Sequence, residues 1–232
     1  MEGAAPTQEA GVSVVIPAAG VVIAGELGGV TGGSPTPLGI VVFAHGSGSS
    51  RMSPRNQYVA ALLRQYGFST LLLDLLTIEE QYVISKRFDI ELLTTRLAEA
   101  VRWVREQEAL KDLPLALFGA STGAAAALRV AAVASATIRA VVSRGGRTDL
   151  TGPLVSRVRA PTLLVVGGED REVLELNQHT LAQLTCEKRL AIIPGATHLF
   201  EEPGALDDVG HIAAYWFRNH VSGPSTQPHV MR

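Results

Sequence analysis

ALFGASTGAAAAL, residues 116–128, is the stretch that decides the fold of this chain. The apolar residues up to Phe118 predict a short buried strand, and the alanines after Gly123 predict a helix. Between them stands Gly-x-Ser-x-Gly, which places Ser121 on a sharp strand-to-helix turn. Such a turn needs small residues two positions before and after the serine, as Gly119 and Gly123 are. The pattern predicts a nucleophilic serine at a helix N-terminus, where backbone N–H groups favour a developing negative charge.

From Gly39 onward, short apolar runs alternate with helical segments. This alternation predicts a doubly wound, mostly parallel sheet with helices on both faces, in which ligands bind at the carboxyl ends of the strands. Residues 12–16 and 21–26 predict a hairpin that precedes the parallel strands. The remaining strands are predicted at residues 39–43, 68–73, 114–118, 138–143, 161–166 and 189–193. Helices are predicted at 54–66, 90–109, from the elbow to about 134, 171–184 and 206–219, with irregular segments at 75–89 and 144–152.

Two further post-strand loops carry the partners that a nucleophilic serine needs. A serine hydroxyl requires a base to take its proton, and the base requires a third group to hold it. Ser121, Asp170 and His198 follow one another in the order expected when this triad lies on a doubly wound sheet. Glu169 and Asp149 are alternatives for the acid. The other histidines are less suited to be the base, because they lie in helices, in the tail or in the loop after the first parallel strand: His45, His179, His211, His220 and His229.

The loop at residues 45–51 is rich in small residues and follows the first parallel strand. Stabilising an oxyanion requires backbone donors, and we expect the N–H groups of Thr122 and Ser47 to supply them. The side chain of His45 is expected to brace this loop rather than to react. Arginines also cluster near this edge of the sheet and could hold an anionic group of a substrate. Ordinary solvated arginines are the alternative for this set, which comprises Arg51, Arg144 and Arg147, with Arg55 nearby.

Composition excludes several classes of protein. Of 232 residues, 47% are hydrophobic and 18% are charged, which is typical of a globular chain with a buried sheet. A net charge of −2 gives no basic face for nucleic acid. Cys186 is the only cysteine, so neither a disulfide framework nor a thiolate zinc site is expected. We therefore expect no metal, no cofactor and a cytoplasmic location.

The division of the chain is predicted to be simple. Residues 12–221 are expected to form a single domain, between a flexible leader at residues 1–11 and a flexible tail at residues 222–232. The leader carries acids and no basic segment of a secretory signal. Residues 12–25 are almost uncharged but fall short of the roughly 18 apolar residues of a membrane span. No membrane or nucleic-acid partner is expected, and the chain is predicted to be a monomer or a homodimer.

With these motifs together, the chain resembles the α/β-hydrolases of the dienelactone hydrolase-like group. The resemblance covers about residues 39–220 and rests on four segments: 45–51, 119–123, 166–170 and 194–200. It implies an α/β-hydrolase fold and an enzyme that cleaves esters through an acyl-serine intermediate, without cofactor or metal. Two departures matter, because the namesake enzymes use a cysteine where this chain has Ser121, and no large lid segment interrupts residues 143–161. The lack of a lid segment predicts little or no cap domain and a small, open site.

The sequence accordingly predicts a serine hydrolase that cleaves small soluble carboxylic esters, in the manner of a carboxylesterase. A dienelactone or lactone hydrolase, a thioesterase and an acyltransferase using the same triad remain alternatives. A non-catalytic ligand-binding member of the fold is a further possibility, which an active-serine probe would test. A nucleotide-binding Rossmann protein is disfavoured, because the loop at residues 45–51 lacks the third glycine of Gly-x-Gly-x-x-Gly.

Overall fold

The computed structural model describes residues 11–30 and 36–221. Its centre is an eight-stranded sheet with the order β1-β2-β4-β3-β5-β6-β7-β8. The strands β3 to β8 run parallel to one another, whereas β2 runs antiparallel to both of its neighbours, β1 and β4. The strands are Val12–Ala18 (β1), Val21–Gly28 (β2), Ile40–Ala44 (β3), Ser69–Leu73 (β4), Leu115–Ala120 (β5), Ile138–Arg144 (β6), Thr162–Gly167 (β7) and Lys188–Ile193 (β8).

Six α-helices accompany these strands in the described part of the chain. They are Pro54–Gln65 (α1), Ile84–Arg87 (α2), Ile90–Glu106 (α3), Thr122–Val133 (α4), Arg171–Gln183 (α5) and Ala205–Val221 (α6). Together with the strand order, they confirm the predicted doubly wound, mostly parallel sheet. The predicted helix at residues 90–109 is too long, because Gln107 has an extended backbone that ends α3 at Glu106.

The predicted hairpin is confirmed, but its turn consists of two residues only, so Pro17 lies within β1 and not in the turn. Strand β1 continues through Pro17 to Ala18, and β2 begins at Val21. The two residues between them, Ala19 and Gly20, have φ angles of 50° and 77°. Positive φ at both positions is the geometry of the two-residue hairpin turns that match the twist of paired strands.

Apolar side chains fill both faces of the central strands, which is why these strands are almost continuously hydrophobic. On one face, α1 and α6 cover alternate residues of the sheet, including Phe43 and Phe118, whose rings stack. On the other face, α3 and α4 pack over the remaining residues. The alanines of α4 are fully buried, so this helix can lie close against the strands beside it.

The segment at residues 75–89 was predicted to be irregular, and it forms two short helical turns, Glu80–Tyr82 and α2. Its anchor is Arg96 of α3, whose side chain is 2% exposed. The guanidinium of Arg96 donates two hydrogen bonds to the carboxylate of Glu80 and one to the carbonyl of Leu75. These bonds lower the pKa of Glu80 well below its ordinary value, and they tie the segment to α3.

The loop predicted at residues 144–152 is shorter than expected, because 3₁₀ turns begin at Thr148 and continue to Arg157 with a kink at Gly152. Residues 1–10 and 222–232, assigned from the sequence to a leader and a tail, lie outside the described residues. So do residues 31–35 of the glycine-rich connection before β3. Among the described helices, none has both the length and the apolar character needed to cross a bilayer.

Candidate active site

Ser121 lies on a strained turn between β5 and α4. Its φ of 50° and ψ of −122° fall in a region that residues with a side chain rarely adopt. The two glycines of the motif are sterically required. A Cβ atom at Gly119 would lie 2.5 Å from Cα of Ala124, and one at Gly123 would overlap the carbonyl oxygens of Ala44 and His45. Small residues are therefore required at both positions, as the spacing of the motif predicts, and the elbow packs directly against the end of β3.

The loop after β6 holds the backbone of Ser121 from both sides. The N–H of Ser121 donates to the carbonyl of Arg144 (3.2 Å), and the N–H of Arg147 donates to the carbonyl of Ser121 (3.0 Å). Between these two residues, Gly145 has a φ of 52° and lies beside the ring of His198. Asn177 of α5 is fully buried and donates from Nδ2 to the carbonyl of Gly146 at 2.8 Å. These contacts maintain the strained turn and bring the loop against the predicted base.

The loop after β3 makes the other wall of the site. The N–H of Ser49 donates to the carbonyl of Gly46, and Gly48 takes a φ of 73° in this turn. A Cβ atom at Gly46 would lie 2.8 Å from Cβ of Ser121, so only glycine lets the loop approach the serine this closely.

Thr122 was predicted, with Ser47, to donate to the oxyanion. It is the first residue of α4, so its N–H has no acceptor within the helix.

His45 braces this loop, as the sequence predicts for its side chain. The ring is buried, Nδ1 donates to the carbonyl of Gly46 (2.9 Å), and Nε2 accepts from the N–H of Leu75 (3.0 Å). The two bonds require a neutral imidazole with its proton on Nδ1. Burial lowers the pKa of His45 below its ordinary value of 6.5, which favours the same neutral form.

Asp170 and His198 come together at the carboxyl ends of β7 and β8. Nδ1 of His198 lies 2.6 Å from Oδ2 of Asp170, within hydrogen-bond distance. The Asp170 side chain is 13% exposed, whereas that of His198 is 40% exposed and remains open to solvent on its other side. A carboxylate on Nδ1 places the proton there and leaves Nε2 free to accept one.

The alternatives weighed from the sequence lie elsewhere. Glu169 is exposed, and Asp149 forms a two-point ion pair with Arg147. The other described histidines have partners outside the site: His179 contacts Gln183, His211 contacts Tyr66, and His220 packs on Trp216. His229 lies outside the described residues.

A cleft of about 280 Å³ opens over Ser121, and we call it the Ser121 cleft. Ser121, His198 and Ser47 line it together, with Gly46 and Leu199. A neighbouring hollow of about 330 Å³ shares Gly48, Ser49 and Arg55 with the cleft and extends to Gln81. The volume of the Ser121 cleft is at the lower end of the range for small-molecule sites.

The arginines predicted to bind substrate separate into two groups. Arg51 donates from its backbone N–H to Asp74 (2.7 Å) and forms an ion pair with the same carboxylate, and it does not line the Ser121 cleft. Arg147 directs its guanidinium to Asp149 instead. Substrate contact by Arg51 and Arg147 therefore stays a prediction, since each has a carboxylate partner and neither lines the Ser121 cleft. Arg144 does line the cleft, and so does Arg55 of α1.

Three contributors to the site were not identified from the sequence. Asn177 is buried in α5, Gly145 flanks His198, and Phe200 packs beside Arg144 with a φ of 57°. The pair Gly145-Gly146 after a predicted strand is a signal that could have marked this loop as a close approach of backbone. Nothing in the local sequence marks Asn177 or the left-handed backbone of Phe200.

This sheet order, with a serine elbow after the fifth strand, defines the α/β-hydrolase fold. A dienelactone hydrolase from Anabaena variabilis is 49% identical in sequence, with a TM-score of 0.85 over 91% of this chain and 98% of that one. The chain therefore belongs to the dienelactone hydrolase-like group of α/β-hydrolases.

Other comparisons add the following. A serine hydrolase without a lid from Xanthomonas campestris has a TM-score of 0.74 over 96% of this chain and 99% of that one, at 19% identity, which bears on the fold alone. Two curated sequences from strains of Mycobacterium tuberculosis, each named "Putative phosphoribosyl transferase", are 56% identical over 188 residues. That match spans 81% of this chain but only 42% of each relative. No protein-family model matches the chain.

Proposed function

We propose that the protein is a serine hydrolase of carboxylic esters that works through an acyl-serine intermediate. The observation that carries the proposal is the contact between Asp170 and His198 at the rim of a cleft that also contains Ser121. A histidine held on Nδ1 by a carboxylate is suited to take a serine proton with Nε2. The similarity to the dienelactone hydrolase from Anabaena variabilis supports the same class of reaction.

In this mechanism, Oγ of Ser121 attacks the ester carbonyl while Nε2 of His198 takes the hydroxyl proton. Asp170 stabilises the cationic imidazole that results. His198 then delivers the proton to the leaving alcohol, which departs as the acyl-serine ester forms. Water repeats the sequence: His198 removes a proton from it, the hydroxide adds to the acyl carbonyl, and the acid is released as Ser121 regains its proton.

The oxyanion of both tetrahedral intermediates needs donors that are already in place. The backbone N–H groups of Thr122 and Ser47 are our candidates. Thr122 offers an N–H at the start of α4, where the helix dipole adds to the stabilisation. Ser47 lines the cleft on a loop that His45 and Gly48 hold in a fixed turn.

Lactones, thioesters and acyl transfer to another acceptor use the same groups and remain alternatives within this proposal. The transferase name of the mycobacterial relatives describes proteins of which more than half lies outside the match. It therefore provides no separate argument for phosphoribosyl transfer by this chain.

The test is labelling with a fluorophosphonate probe, followed by turnover of aryl esters of increasing acyl length with a lactone and a thioester included. We expect the probe to modify Ser121, and we expect Ser121→Ala to lower kcat by many orders of magnitude with its fold retained. Adding an alcohol as competing acceptor separates hydrolysis from acyl transfer. Unchanged turnover in folded Ser121→Ala protein would overturn the mechanism.

A further inference from the structure

Arg144 is a buried cation without a carboxylate partner in the described part of the chain. It is the last residue of β6, it is 8% exposed, and it lines the Ser121 cleft. Its Nε and Nη1 atoms are both buried and make no hydrogen bond to the described residues. A buried charged group that lacks hydrogen bonds is unfavourable, so its position calls for a ligand or for another explanation.

The surroundings of Arg144 hold the side chain in place without neutralising it. Its guanidinium carbon lies 5.8 Å from the ring centre of Phe200, which is buried, in a cation–π arrangement. The charge of Arg55, which is also positive, acts unfavourably on that of Arg144. Arg55 donates to Glu201 at 3.0 Å, so that carboxylate is engaged by Arg55.

The charge of Arg144 persists at neutral pH. Burial and, to a smaller degree, the proximity of Arg55 lower its pKa from 12.5 to about 10. The group therefore remains almost wholly protonated under ordinary conditions. An anion in the cleft would supply the missing hydrogen-bond acceptors and offset the burial of the charge.

We propose that Arg144 binds a carboxylate or phosphate group carried by the ester that Ser121 attacks. The proposal rests on the proposed function and specifies its substrate class: small esters with a second, anionic group. Of the three arginines that the sequence suggested, only Arg144 has an unpaired guanidinium at the cleft, since Arg51 and Arg147 are paired with Asp74 and Asp149. Arg55 adds positive charge at the same wall of the cleft.

The test compares esters that differ only in charge. In the acyl arm, monomethyl glutarate is compared with its carboxamide analogue. In the alcohol arm, acetate esters of phenols with a para-carboxylate, para-carboxamide or para-phosphate group are compared. Each kcat/KM value is divided by the rate of alkaline hydrolysis of the same ester, which removes differences in intrinsic reactivity. The two arms identify which side of the ester carries the anion, and the phosphate ester distinguishes the two kinds of anion.

We expect the wild-type protein to prefer an anionic ester at least about tenfold over its neutral analogue in one arm, as a charge-assisted hydrogen bond allows. Arg144→Gln should bring the ratio of kcat/KM for the anionic and neutral esters close to one, whatever its turnover of the neutral ester, and Arg144→Lys should restore part of the preference. Arg139→Gln is the matched control, because Arg139 is exposed at the opposite end of β6. It should keep the full preference.

Binding to Ser121→Ala protein, measured by calorimetry, separates this proposal from the proposed function. Tighter binding of the anionic ester without any turnover by the wild-type protein would leave the anion site standing and overturn ester hydrolysis. Equal kcat/KM and equal binding of charged and neutral esters in both arms would overturn the role of Arg144. The same conclusion would follow if folded Arg144→Gln protein kept the wild-type preference.

Discussion

Nδ1 of His198 lies 2.6 Å from Oδ2 of Asp170, although 28 residues separate them in the chain. The contact forms because β7 and β8 are adjacent and parallel, so the loops after them meet at one edge of the sheet. We expect Asp170→Asn to lower kcat by about a thousandfold or more, because an amide no longer holds the required tautomer. Glu169→Gln, one residue away and exposed, should retain wild-type turnover. Nearly normal kcat in Asp170→Asn would contradict this assignment.

The strain at Ser121 leads to a prediction about stability. A residue with a side chain at φ 50° and ψ −122° costs on the order of 1–3 kcal/mol, and glycine avoids most of that cost. Glycine also gives the unfolded chain more freedom, which offsets about 0.4–1 kcal/mol of the gain. We therefore expect Ser121→Gly to be more stable than Ser121→Ala by about 1 kcal/mol in urea unfolding, with both variants inactive. Equal stability would mean that the strain at Ser121 does not exceed the entropic offset that glycine brings.

The two hydrogen bonds of His45 predict an effect on turnover rather than on binding. Removing them in His45→Phe should loosen the turn that carries Ser47, and we expect kcat to fall about tenfold or more with little change in KM. His45→Gln offers a donor and an acceptor and should retain more of the activity. A large rise in KM at unchanged kcat would instead place His45 in substrate binding.

The same residue makes stability depend on pH. Since burial lowers the pKa of His45 from 6.5, the unfolded chain takes up the proton first as the pH falls. Stability should therefore decline from about pH 7 towards pH 5, and the decline should be shallower in His45→Gln. Urea unfolding at several pH values measures this slope. Parallel curves for the two proteins would exclude a contribution from His45.

Glu80 should contribute to stability in a different pH range. Its hydrogen bonds to Arg96 lower its pKa below 4.5, so its contribution is present above that pH and is lost as the pH falls. We expect Glu80→Gln to lower the free energy of unfolding by about 3 kcal/mol or more at neutral pH, because Arg96 is left buried without its partner. The difference from the wild-type protein should shrink in acid. Glu99→Gln, which removes an exposed pair with Arg102, should change stability by less than about 1 kcal/mol.

The sequence predicts this fold well because its signals are local. Alternating strands and helices, together with glycines around Ser121, determine which residues follow each strand, and parallel strands bring those loops to one edge. The pairing of Asp170 with His198 follows from chain order and this rule. The hairpin, the sheet and the helices are accordingly confirmed, with boundaries that differ by a few residues.

The arginines show what such reasoning leaves open. Whether a guanidinium faces the cleft depends on tertiary partners, and the sequence does not reveal that Asp74 pairs with Arg51 across 23 residues. The ion pair of Arg147 is easier to predict from the sequence, because Asp149 is only two residues away. Arg144 is distinguished by its burial beside Phe200 at the cleft, without a carboxylate partner among the described residues, and a one-dimensional pattern does not encode this.

The close fit of Gly123 against the carbonyls of Ala44 and His45 has a consequence for how this protein could be diversified. Three segments are in close contact here: the elbow, the loop after β3 and the loop after β6. A substitution in one of them would therefore displace the reactive groups on the others. Apart from Glu80, the turns at residues 80–87 are built differently, with Tyr82 and Ile84 largely exposed. Libraries aimed at a new substrate should therefore vary this outer segment, where substitutions leave the positions of Ser121 and His198 unchanged.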